Sequence, residues 1–158
     1  MSAAARLALL LAGAALLSGC LASRPVGGSA SPGAGPAALG SFAVRSSALG
    51  DATVTPTTCT AGDREMFLGG EFSDPASGLV VRLVVDPLDG PAVRLYSTAA
   101  EFERSVVFHR AECGVFHFSL NSTGWRVNEV NDYRLTLELD CSRAGESLKG
   151  SASATHCH

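Results

Sequence analysis

Residues 133–140 alternate strictly: Tyr133, Leu135, Leu137 and Leu139 fall on one side, and Arg134, Thr136, Glu138 and Asp140 on the other. A helix would scatter these leucines around its circumference, whereas a strand gathers them on one face. The same period of two recurs over residues 78–86, where Leu79, Val81, Leu83 and Val85 oppose Arg82, and over residues 115–120, where Phe116, Phe118 and Leu120 oppose His117 and Ser119. Weaker runs occupy residues 65–72, 92–97, 105–110, 125–130 and 147–155. Turn chemistry separates them, at Asp74-Pro75, at the Asp86–Pro91 segment, at Asn121-Ser122-Thr123-Gly124, at Asn131-Asp132 and at Arg143-Ala144-Gly145. Seven to eight short strands with a turn about every ten residues specify an all-β domain, an antiparallel β-sandwich or small barrel. One short helix is expected over residues 98–104, with Ser97 or Thr98 as cap and Glu101 at the third position.

The amino-terminal residues follow a different rule. Arg6 precedes an apolar run from Leu7 to Leu17, which is too short for the roughly 20 residues of a spanning helix. The small pair Ser18-Gly19 and then Cys20 follow it. This arrangement resembles the bacterial lipoprotein signal: an aliphatic residue, two small residues and an invariant cysteine. The resemblance implies that residues 1–19 are a signal peptide and that Cys20 carries diacylglycerol. It further implies attachment to a membrane, marginal with one acyl chain and stable with two or three. Leu21 stands where an Asp would mark inner-membrane retention. A Gram-negative owner would therefore send the protein to its outer membrane, and any other would hold it on the outer face of the plasma membrane.

Residues 20–51 are Ala, Gly, Ser and Pro with isolated apolar residues, a composition expected to form a flexible linker reaching on the order of 30 Å. Phe42-Ala43-Val44 is its one stretch able to make a stray first strand. Residues 52–158 then form the β-domain. The layout is similar to that of small envelope lipoproteins of GC-rich bacteria, in order and composition only. No internal motif can be matched to a known domain.

Removing Cys20 from the five cysteines leaves Cys59, Cys113, Cys141 and Cys157, an even count that in an exported domain reads as two disulfides. Three connectivities are open. Antiparallel pairing of residues 115–120 with 133–140 brings Cys113 towards Cys141, leaving Cys59 for Cys157. Parity opposes this, since Cys113 shares a face with His117 and Cys141 with Leu139. An irregularity near Gly114 is needed to reconcile them.

The net charge of −3, one unit more negative without Arg6, and the lack of any basic patch argue against nucleic acid and against electrostatic attachment to anionic lipid. The remaining chemistry is sparse. His156-Cys157-His158, with His109 or His117 as further ligands, is the one metal-like cluster, but the disulfide claims Cys157. His109, His117 and Cys113 share a neighbourhood without making a free nucleophile if Cys113 is bridged. Glu101, Glu103 and Glu112 read as a solvated face, Trp125 as a core anchor, Phe67 as an outward aromatic beside Glu65 and Glu71, and Asn121-Ser122-Thr123 as a chance acceptor sequence. No Gly-x-Ser-x-Gly, His-Glu-x-x-His or phosphate loop occurs. The expectation is a non-enzymatic, lipid-anchored binding or structural accessory domain with a possible envelope protein partner. It has no cofactor beyond the lipid on Cys20. A metal- or small-ligand-binding protein is the alternative, and a hydrolase a weaker one.

Overall fold

The computed structural model of the chain describes residues 37–99 and 101–158, apart from the side chains of residues 101–103. Ten strands run through it: β1 (Gly40–Arg45), β2 (Ala52–Val54), β3 (Thr58–Ala61), β4 (Gly69–Asp74), β5 (Leu79–Asp86), β6 (Gly90–Ser97), β7 (Glu101–His109), β8 (Cys113–Val127), β9 (Val130–Arg143) and β10 (Glu146–Cys157). They make two antiparallel five-stranded sheets, in the orders β2-β1-β10-β9-β8 and β3-β4-β5-β6-β7. The second sheet is a meander of successive hairpins. The first joins a β8-β9-β10 meander to the β1-β2 hairpin through pairing of β1 with β10. Neither sheet closes on itself, so the expected all-β fold is a sandwich and not a barrel.

Alternation decides what each sheet buries. Phe42, Val44, Val54, Leu135, Leu137, Leu139 and Leu148 from the first sheet meet Phe72, Val81, Leu83, Val93, Leu95 and Phe108 from the second in one core. A Cβ at Gly70 would press on a Leu135 methyl, so this glycine lets the sheets approach closely. Gly150, at φ +147°, does the same within the first sheet, where a side chain would collide with the Ser41 carbonyl of β1.

Both disulfides join the pairs favoured by strand order, Cys113–Cys141 and Cys59–Cys157. The parity conflict is resolved by a bulge: Cys113 lies opposite Cys141, yet Val115 lies opposite Asp140 and Phe116 opposite Leu139, leaving Gly114 as the extra residue.

Four expectations need correction. Among the described residues the strands number ten, not seven to eight. The domain does not begin at residue 52, because β1 lies inside the expected linker; Phe42 and Val44 are both buried there. Two alternating apolar residues suffice once β10 supplies the rest of the face. Among the described residues of 98–104 no helix forms. Instead, β7 starts at Glu101, because its Val106-Val107-Phe108 run pairs along β6 and the ladder continues back across an irregularity at Ser97. Residues 65–72 are only partly strand: Gly62–Glu65 is a 3-10 turn, Met66 takes a left-handed conformation at φ +59°, and pairing begins at Gly69.

Candidate functional site

The site is assembled by two irregularities that meet over β9. Between Ser122 and Arg126, β8 carries extra residues opposite Asp132, and between Ala154 and Cys157, β10 carries an extra residue opposite Arg134. Each bulge turns polar side chains towards Asp132, which is only 1% exposed. Thr123 Oγ1 donates to Asp132 Oδ2 at 2.7 Å, and His156 Nδ1 lies 2.9 Å from the same oxygen. Asp132 Oδ1 is buried without a hydrogen bond, and His158 Nδ1 is 3.4 Å away. The contacts from His156, and then from Thr123, hold the Asp132 carboxyl down to about 2.

Above this carboxylate lies a half-open cleft of about 360 Å³ lined by Asn121, Ser122, Thr123, Trp125, Arg134, Thr155 and His156. Trp125 is 74% exposed, which corrects its assignment as a core anchor. Gly124, at φ +81°, turns the bulged strand and carries Trp125 out of the sheet plane. A flat indole face beside amide, hydroxyl, guanidinium and imidazole groups suits stacking combined with hydrogen bonding. The contact with Asp132 engages Nδ1 of His156 and not Nε2.

A second polar cluster lies on the outer face of the other sheet. Arg82 of β5 donates through Nε to Glu71 Oε1, and through Nη2 to Glu65 Oε2 at 2.5 Å and Tyr96 Oη at 3.2 Å. Tyr96 Oη donates to Glu71 Oε1 at 2.6 Å. The Phe67 ring lies 4.7 Å from the guanidinium carbon and the Tyr96 ring 5.3 Å from it. Burial, reinforced by the bond to Glu71, pushes the Tyr96 hydroxyl up to about 12. These groups satisfy one another, so the cluster fastens the 62–67 turn to the sheet. Phe67 is thus a cover for Arg82. Beyond it, Met66 and Leu88 are 94% and 93% exposed, and Met66, Leu68, Val84, Val85 and Pro87 line an apolar groove.

The other residues singled out in the sequence do not converge. His117 stands on the outer face of β8 with Nδ1 3.6 Å from Glu138 Oε2, while His109 caps the Arg110–Glu112 turn. His156 and His158 flank a Cys157 taken by its disulfide. Among the described residues no group of three His, Cys, Asp or Glu side chains is arranged to hold a metal ion. Glu112 pairs with Arg143 at 3.3 Å; the side chains of Glu101 and Glu103, and the whole of Cys20, the leader and residues 21–36, lie outside the described residues. Asp132 was not singled out, since Asn131-Asp132 reads as a turn. Its pairing with two distant histidines has no local signal. No protein-family model matches the chain, and neither the curated proteins nor the solved structures contain a match to it.

Proposed function

We propose that this chain is a lipid-anchored protein of the cell envelope whose sandwich serves as a binding or structural accessory domain, tethered through diacylglycerol on Cys20. The observation that carries the reading is the use of the cysteines. The two disulfides consume four of the five, and the fifth closes Leu17-Ser18-Gly19-Cys20. Stable disulfides belong to oxidising compartments, which agrees with an export signal. The Trp125 cleft supports a binding role, with an envelope component as partner. Metabolic labelling with a palmitate analogue tests the anchor: label is expected on the wild-type chain and absent from Cys20→Ala, and an unlabelled wild type refutes it. For the binding role, capture from the native envelope by the wild-type chain is expected to enrich a component that Trp125→Ala fails to enrich. Equal enrichment by both removes the cleft from the reading.

One observation favours a hydrolase as the second reading. The Asp132–His156 contact of 2.9 Å matches the orienting half of an acid–base dyad, and Ser122 lines the same cleft. Ser122 Oγ accepts the Gly124 N–H at 3.2 Å. Labelling by a fluorophosphonate that is lost in Ser122→Ala would favour this reading; an unlabelled wild type eliminates it.

A further inference from the structure

We infer that two copies of this chain associate edge to edge through β8, pairing antiparallel about Ser119 so that one five-stranded sheet continues into the other. The inference stands apart from the lipid anchor and from the cleft.

A sandwich of two open sheets has four edge strands, and each must be kept from pairing with other chains. Three are guarded. The strands β2 and β3 span only three and four residues, and β7 carries Glu101, Glu103 and Arg104 in its sequence. The fourth edge, β8, is 15 residues long and pairs only with β9. From Cys113 to Trp125 it holds no Lys, Arg, Asp, Glu or Pro. The Arg110 guanidinium donates to the Phe116 carbonyl at 3.1 Å, which places that carbonyl on the open side and caps the Phe116 end of it, a contact that pairing beyond Phe118 and Leu120 would displace. The period of two then turns the main-chain groups of Phe118, Leu120 and Ser122 the same way. Among the described residues no backbone bond from another loop reaches them.

This edge is complementary to itself. A two-fold axis at Ser119 sets Phe118 opposite Leu120 of the second copy, and Leu120 opposite its Phe118. Both side chains are only partly buried at the margin of the core and gain cover from the pairing. On the outer face His117 meets Asn121, so no like charges are opposed. A one-residue slip would break the Phe118–Leu120 match.

The test uses the full chain with Cys20→Ser, so that no other thiol is free. Ser119 and its symmetry mate form a non-hydrogen-bonded pair, with Cα atoms about 4.5 Å apart, within disulfide reach. Ser119→Cys is expected to give a covalent dimer on non-reducing electrophoresis. Asn121→Cys, whose symmetry mate lies four residues further along the ladder at roughly 13 Å, is expected to stay uncrosslinked. Ser119→Lys sets two ammonium groups face to face only in the dimer. It should raise the dimer dissociation constant at least tenfold without changing the monomer's melting temperature. The inference is overturned by a monomer in sedimentation at 100 µM, by equal crosslinking at positions 119 and 121, or by a dimer indifferent to Ser119→Lys. A foreign strand as the natural occupant would produce the first of these results.

Discussion

Replacing Phe42 by Ala tests whether the folding unit begins at β1 or only after the Ala/Gly/Ser/Pro stretch. Phe42 is fully buried, lies between Gly150 of β10 and Val54 of β2, and its ring centroid is 6.4 Å from that of Phe72 across the core. Truncating such a side chain removes its transfer free energy and leaves a cavity that a tightly paired strand cannot collapse, a cost of about 3–5 kcal/mol. In a domain of this size, that loss corresponds to a fall of roughly 12–20 °C in Tm. The measurement is urea unfolding of the oxidised full chain, with thermal melts in parallel. Leu88→Ala, at an exposed hairpin tip, serves as the control and is expected within about 0.5 kcal/mol of wild type. If Phe42→Ala also fell within that margin, β1 would be an ornament on a domain starting near residue 52, and the assignment of residues 40–45 to the core would be wrong.

Arg82→Leu should cost about 3 kcal/mol or more, because it strands the buried Glu71 carboxylate. Glu71→Leu combined with Arg82→Leu should recover much of that, and a single-variant cost below about 1 kcal/mol would deny the cluster its buried character. Opening the Cys59–Cys157 bridge, with a separation of 98 residues, is expected to cost more than opening Cys113–Cys141, with a separation of 28. Loop-closure entropy sets about 4.7 against about 3.6 kcal/mol, and paired Cys→Ala denaturation curves giving the opposite order would refute that account. Asp132 titrates lower in the folded chain than in the unfolded one, so the stability it confers is complete above about pH 4 and fades as pH falls through about 2. Urea midpoints between pH 5 and 2 should therefore decline less for Asp132→Asn than for wild type; parallel declines would remove Asp132 as the cause.

The readable parts of this chain are those whose signal is local. In β5, the first half of β8, and β9, each inward residue is apolar and its neighbour generally polar, so period alone declares the strand. The antiparallel order of β8 and β9 then favours pairing Cys113 with Cys141, once the Gly114 bulge removes the parity conflict. Arg82 shows the limit of the same logic. Alternation puts it on the outer face, where it is, but a residue on the outer face need not be exposed: the turn that carries Phe67 folds back over it. Trp125 departs from expectation for another reason: the Asn121–Gly124 segment is a bulge within β8 and not a hairpin corner.

Composition and periodicity thus settle that the chain makes antiparallel sheets, and which faces of its stronger strands are apolar, because both follow from neighbours one or two positions apart. Register across the sheets settles the rest. β1 is a strand because β10, some hundred residues later, offers it a ladder and a core face. Asp132 meets His156 and His158 because a bulge of β8 opposite Asp132 and a bulge of β10 opposite Arg134 fall two residues apart on β9. Bulges are set by how whole strands pair and twist, and such pairings are decided only when the distant segments are brought together in the folded sandwich.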